Sequence, residues 1–441
     1  MSFRSAGQRR SSATLLRLST VLVVATCLVT ACSSSSNSSA TGGSAAPGTE
    51  AASAPASGSS TGGAASGTPI KVMVIAPFTF ALAPSKANYD AVSVQAKLQD
   101  AKGGINGHPV EVIGCDDQND ANVAAACAQK AVDEKVAALV GTFTLQPASI
   151  YPAIDKAGIP IIGSWQVGGE DYTSPNSWPI MEPNDMQLAA AGAYMVKDKG
   201  CAKVGYMGVD LGAPTAGSVA AIKAGVGAAG GTFAGSSLFS PSSPPGDYGP
   251  SAAAALAKAT CQFVNSGAPS TQIGIALYQQ DPNVAIVSHD AGLAPDWATA
   301  MGGAAGRTTQ FSSLPPISSS APGVQAYVTE MKSQSPNSKL NAFSEMAWAS
   351  WYAFYNVAST ISGDVTAASL TAALRKATAV STDGMTPPVN FSKAIPWTVA
   401  GDNIQRNFST ATVISTAVNG VITQSGATVD ANTLIPTLIS G

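Results

Sequence analysis

Charge is scarce in this chain. Asp, Glu, Lys and Arg make up 11% of 441 residues, against roughly a quarter in an ordinary soluble protein. Lys and Arg (23) do not outnumber Asp and Glu (26), which removes the basic excess that nucleic-acid binding draws on. His108 and His289 are the only histidines, too few for a histidine-based metal site, and no metal or cofactor is expected. No apolar run reaches the ~20 residues that cross a bilayer. What is present is an ordinary apolar fraction, 45%, in Val/Ile/Leu-rich runs that exclude disorder over the whole length.

The charge is unevenly placed. Arg4, Arg9, Arg10 and Arg17 precede residue 32 and no acid does; the remainder has 19 basic and 26 acidic side chains, a net −7. A basic start, an apolar run over 18–31 and small residues at its end make a secretory signal over residues 1–31. It ends Leu28-Val29-Thr30-Ala31-Cys32, followed by four serines. This resembles a bacterial lipobox, which implies diacylation of Cys32 and anchoring on the extracytoplasmic face of the cell membrane. Apart from Cys32 and Asn37, residues 32–68 are Ser, Gly, Ala, Thr and Pro, with Glu50 as the lone charge. They read as a tether spanning about 30–36 Å root mean square. The body, 69–441, is too long for one core and suits two lobes.

Cys27 leaves with the signal and Cys32 is the anchor, so Cys115, Cys127, Cys201 and Cys261 remain. An even number outside the cytoplasm suggests two disulfides, and sequence alone allows three pairings.

Strands are expected over 70–75, 109–113, 136–140 and 159–162, with helices over 86–100, 120–134 and 149–157 between them. Asp120 is placed to cap the second helix. The pattern restarts with a helix over 186–198. Strands at 203–207, 232–238, 261–265 and 284–288 follow, with helices at 218–229, 251–258 and 271–280 between them. These spacings demand parallel crossovers, and two such runs predict an α/β fold of two doubly wound parallel-sheet lobes. With strand order 2-1-3-4, the second lobe's first and third strands are neighbours and begin at Cys201 and Cys261. That favours Cys201–Cys261, leaving Cys115–Cys127 as a local bridge. Later come helices over 344–361 and 367–377 and a strand-rich stretch over 408–421. Trp348, Trp351, Tyr352 and Tyr355 share one helical face, which reads as a buried face rather than an aromatic cage.

The lipobox, the tether and the opening Ile70-Lys71-Val72-Met73-Val74-Ile75 resemble the type I solute-binding proteins of ABC importers, nearest the leucine/isoleucine/valine-binding group. Three stretches carry the likeness: 107–120, with Asp116-Asp117 after its strand; 136–162, with Thr144-Leu145-Gln146-Pro147; and Pro387-Pro388-Val389-Asn390-Phe391. The resemblance implies two lobes joined by three crossovers, lobe 1 as 69–182 plus 308–383 and lobe 2 as 183–307 plus 384–441. It also implies a small solute in the cleft, permease and ATPase partners and, by expectation, a monomer.

In open parallel sheets, ligands sit beyond the carboxyl ends of the strands. That selects the loops at Phe78, at Thr144, at Ser164-Trp165-Gln166, at Ser266 and at Asp290. Hydroxyls at helix starts suit a carboxylate, and the family binds one with residues in the Thr144 and Ser164 loops. Asp290 stands where the family faces an ammonium group. Trp165 is a candidate wall, as are Phe78, Phe80 and Phe143. Trp165-Gln166 replaces a small pair common in the family's amino-acid binders, and Leu211-Gly212 stands where they often carry Tyr. Both argue for another amino acid, an amide or a small aromatic acid rather than a branched-chain amino acid.

A ligand-sensing receptor using the same cleft is the alternative function. An enzyme is not expected: the body holds no G-x-S-x-G, H-E-x-x-H or P-loop, and the adjacent Asp116 and Asp117 diverge. An inert wall lipoprotein would not need two ligand-sized lobes.

Overall fold

A computed structural model of the chain describes residues 65–435. The signal segment 1–31, the lipidation candidate Cys32 and the tether up to residue 64 lie outside the described residues. The tether's last residues already pack, since Ser66 and Gly67 both donate their N–H to the Gly107 carbonyl (3.2 and 3.0 Å).

The first sheet contains β1 (Ile70–Ala76), β2 (Val110–Asp116), β3 (Ala138–Val140), β4 (Ile161–Ile162) and β5 (Ser177–Trp178), in the order β2-β1-β3-β4-β5. All neighbours are parallel. Helices cover both faces of the sheet, so Val72, Met73, Val74 and Ile75 have no exposed surface and β1 reads as a continuous apolar run. Asp120 caps the helix Ala121–Asp133, accepting from the N–H groups of Asn122 and Val123.

The second sheet is built the same way from β6 (Lys203–Val209), β7 (Thr232–Phe239), β8 (Cys261–Asn265), β9 (Ala285–His289) and β10 (Thr308–Ser312). A small ribbon, β11 (Trp397–Val399) with β12 (Asp402–Ile404), precedes β13 (Ala411–Val418), β14 (Val421–Gln424) and β15 (Val429–Asp430). The order is β7-β6-β8-β9-β10-β13-β14, with β15 also on β13. The chain crosses between lobes after β5, after β10 and ahead of β11.

Two expected boundaries are corrected. Residues 308–312 belong to the second sheet, not to lobe 1: β10 pairs parallel with β9 and antiparallel with β13. Its sequence Thr-Thr-Gln-Phe-Ser looks unlike a core strand, yet all five residues are buried. Partners elsewhere satisfy its polar groups. Trp297 Nε1 donates to Gln310 (3.2 Å), and Thr308 Oγ1 donates to the Ala304 carbonyl (2.9 Å). Conversely, Met385, Val389 and Phe391, assigned above to lobe 2, sit in the first lobe's core. The helix Pro322–Gln334 and strands β5, β11 and β12 had no clear sequence signal.

Both expected disulfides are present, Cys115–Cys127 and Cys201–Cys261. The second joins neighbouring strands, since Val204 of β6 is paired with Cys261 of β8.

The helix Ala342–Ala358 positions the cleft loops. Asn341 and Ser344 form a capping box at its start. Trp348 and Trp351 lie in the first core, and Tyr352 and Tyr355 pack against it half-buried. The helix runs directly beneath the loops after β3 and β4. Ser350 Oγ bonds to the Gly163 carbonyl at 3.1 Å, and β-carbons at Gly141 and Gly163 would collide with Ala347 and Ser350.

Candidate functional site

The carboxyl ends of the two sheets face one another across a cleft of about 700 Å³. Lobe 1 supplies Phe80, Leu82 and Ala83 after β1, Phe143 and Leu145 after β3, Trp165 and Val167 after β4, and Phe343 at the start of the long helix. Lobe 2 supplies Tyr206 and Val209 from β6, Leu211 beyond it, and Pro214, Thr215 and Ser218 from the helix Ala213–Ala228. Asn265, Ser266 and Gly267 follow from the end of β8, and His289 and Ala291 from the end of β9.

The aromatic residues form a connected wall. Phe143 and Phe343 have ring centroids 4.5 Å apart, Trp165 and Phe343 5.3 Å. Trp165 also approaches His289 of the other lobe at 6.3 Å. Among the described residues, no Asp, Glu, Lys or Arg lines this cleft. Most polar lining groups are already engaged. Thr215 Oγ1 donates to the Val209 carbonyl (2.9 Å) and accepts from Leu211 N–H (3.0 Å). Ser218 Oγ donates to the Pro214 carbonyl (3.0 Å). His289 Nε2 lies 2.7 Å from Asn265 Oδ1, and its Nδ1 lies 3.8 Å from Asp290 Oδ1. Ser266 Oγ and His289 Nδ1 are buried without a hydrogen-bond partner.

Of the residues chosen from sequence, Trp165, Ser266 and the candidate walls Phe80 and Phe143 line the cleft. Five others lie off it and are corrected. Thr144 Oγ1 donates to Asp117 Oδ2 (2.7 Å) and accepts from Gln146 N–H (3.0 Å), tying the loops after β2 and β3 together. Burial raises the Asp117 carboxyl, opposed by that hydrogen bond. Ser164 is buried beside the Tyr151 phenol. The Gln166 amide donates to the Asp171 and Arg406 carbonyls and to Ser177 Oγ. Phe78 packs near Tyr89, centroids 6.1 Å apart, and Phe80 takes the wall position instead.

Asp290 faces away from the cleft. Its Oδ2 accepts from Ser312 Oγ (2.5 Å) and its Oδ1 from Ala291 N–H (2.9 Å). With Glu345 it lines a second cavity of about 400 Å³. Burial first, and the Asp290 charge second, push the Glu345 carboxyl well above the usual range. At the first crossover, burial pushes Glu182 up to about 8 although Thr412 Oγ1 donates to it at 2.7 Å. These carboxyls belong to the hinge region.

Phe343, Tyr206, Asn184, Asn265 and Thr215 were not singled out from sequence. The loop rule reaches Asn265 by one residue. Phe343 lies far along the chain and enters only because its helix packs under β3 and β4.

The class this geometry defines is a two-lobed binding protein with an interlobe cleft. A family model described as periplasmic binding protein matches residues 69–396. The chain therefore belongs to the periplasmic binding proteins, and its fold is that of type I. Solved structures share the fold. A branched-chain amino acid transporter substrate-binding protein, LivJ, from Streptococcus pneumoniae in complex with isoleucine is 15% identical, with a TM-score of 0.67 over 82% of this chain and 100% of that one. An extracellular ligand-binding receptor from Verminephrobacter eiseniae is 17% identical, with a TM-score of 0.69 over 80% and 99%. A leucine-binding protein, LivK, from Thermotoga maritima is 16% identical, with a TM-score of 0.64 over 82% and 99%. No curated protein sequence matches. The family and these neighbours are binding and transport proteins.

Proposed function

We propose that this protein captures a small solute between its lobes outside the cytoplasmic membrane and hands it to the permease and ATPase of an ABC importer. One observation carries the reading. A cleft is walled by both lobes and sits where three crossovers allow a hinge. Closing such a cleft on a solute stabilises the closed arrangement by the contacts made only there. The isoleucine complex of the Streptococcus pneumoniae neighbour supports the same use of the fold. In this reading a diacylated Cys32 holds the protein at the membrane, and the Ser/Gly/Ala segment stands it off the surface.

A thermal-shift screen of small solutes tests capture, because a ligand that binds only the folded state raises the melting temperature. A screen in which nothing stabilises the protein overturns it. Mass spectrometry of the mature N-terminus tests the anchor. An acyl-bearing Cys32 is expected, and an unmodified amine there refutes it.

A further inference from the structure

Resting on the solute-capture reading, we propose that the cleft is built for an uncharged, largely aromatic solute, held by ring contacts with Phe143, Trp165 and Phe343 and by a hydrogen bond to the Ser266 hydroxyl. Three observations converge on this class.

A zwitterionic or cationic solute needs a carboxylate opposite its ammonium group, because a buried charge left unpaired is costly. No acidic residue lines the cleft among those described. The nearest candidate, Asp290, is held outside it by Ser312 and by the Ala291 N–H.

An anionic solute needs free donors. No Lys or Arg lines the cleft among the described residues, and four backbone N–H groups of its loops are taken. Leu211 N–H donates to Thr215 (3.0 Å), Gly212 N–H to Asp210 (2.9 Å), Ser266 N–H to Ser270 (2.8 Å) and Val167 N–H to Asp171 (3.0 Å). These four loop N–H groups are therefore unavailable to cradle a carboxylate.

Most of what remains is apolar; among the described lining residues, the Ser266 hydroxyl and His289 Nδ1 are the buried side-chain polar atoms without a partner. Phe143, Trp165 and Phe343 form a continuous aromatic surface, suited to offset or edge contacts with a flat ring. Ser266 is 7% exposed and lines the cleft, and its Oγ has no partner. Because this atom also lines the cleft, a polar atom of a bound solute would complete its hydrogen bonding. A hydroxyl both donates and accepts, so an amide, alcohol or carbonyl group on the solute would serve.

The test is calorimetric titration and thermal shift of the purified full chain with four matched classes. These are neutral aromatics (benzamide, phenylacetamide, benzyl alcohol), an anion (benzoate), a cation (benzylamine) and zwitterions (phenylalanine, isoleucine). Neutral aromatics should bind best, and Ser266→Ala should weaken them roughly fivefold to tenfold with the melting temperature of the free protein unchanged. Ser266→Asp should move the preference to benzylamine. Tighter binding of phenylalanine, isoleucine or benzoate than of their neutral counterparts would overturn the solute class and leave capture standing. Unaltered affinity in Ser266→Ala would remove Ser266 from the site. Silence from all four classes would overturn this inference and count against capture itself.

Discussion

A β-carbon placed on Gly267 would stand 2.4 Å from the carbonyl oxygen of Leu82. Gly267 follows β8 in the second lobe and Leu82 follows β1 in the first, so the two loops meet across the mouth of the cleft. The neighbouring Ala268 N–H donates to the same carbonyl at 3.2 Å, and Gly267 holds φ at +59°. The contact between the two loops thus relies on a residue without a side chain, in a conformation that favours glycine.

Gly267→Val is expected to hold the cleft ajar while leaving both cores intact. Any solute that stabilises the native protein should bind the variant about tenfold more weakly or worse, since the contacts made on closure are lost. Titration calorimetry measures the loss, and small-angle scattering should report a larger radius of gyration with solute present. Unchanged affinity would show that this contact plays no part in closure.

Several buried carboxyls predict that stability falls as pH rises. Burial lifts Asp171 to about 7, and Asp185 to about 7 with the Asp402 charge adding to the effect; Glu182 reaches about 8. Unfolded, such groups ionise near 4. The folded chain therefore holds protons that the unfolded chain releases, so their stabilisation is complete below about pH 4 and disappears as pH rises through 7 to 8. The melting temperature should be higher at pH 5.5 than at pH 8.5, by an amount corresponding to a few kcal/mol. Glu182→Gln should flatten that slope and raise the melting temperature at pH 8.5. A native melting temperature that climbs between these pH values would contradict the prediction.

The fold was legible because its signals are local. Apolar runs such as Val72-Met73-Val74-Ile75, the Asp120 cap and the crossover spacing all act within one βα unit, and strand order followed from them. The Cys201–Cys261 pairing was legible for the same reason. The cleft's position followed from the ends of the strands, but most of its side chains did not. Thr144 and Ser266 look alike in sequence, each a hydroxyl in a loop leading to a helix. Thr144 is engaged by Asp117, 27 residues earlier, whereas the Ser266 hydroxyl meets no such partner. The Asp290 carboxylate turns toward Ser312 on the next strand, a contact that neither loop announces. The polar strand at 308–312 does not announce its place in the second sheet, because the contacts with Ala304 and Trp297 that satisfy it become visible only in three dimensions.

The two disulfides should differ in worth. Cys201–Cys261 closes a separation of 60 residues and Cys115–Cys127 one of 12. By loop-closure entropy the longer loop contributes about 4 kcal/mol and the shorter about 3. Urea unfolding of Cys201→Ser/Cys261→Ser should therefore show the larger fall in midpoint than Cys115→Ser/Cys127→Ser. The reverse order would point to strain or residual unfolded-state structure outweighing loop length.

Gly163 couples the long helix to the cleft. It holds φ at +71°, and a β-carbon there would lie 1.8 Å from Ser350 Oγ. Two residues on, Trp165 forms part of the aromatic wall. Gly163→Ala must move either the helix or the loop, at a cost of roughly 2–4 kcal/mol from backbone conformation and overpacking together. Because the loop after β4 is short and ends on Trp165, relief of that clash should also shift the indole and weaken solute binding. Ser350→Gly removes the colliding atoms at about 1 kcal/mol of helix propensity. The double variant should then be less destabilised than the sum of the singles, a coupling measurable by a double-mutant cycle in urea. Strict additivity would mean that the loop, rather than the helix, yields to the new methyl group, and that Ser350 does not set the position of Trp165.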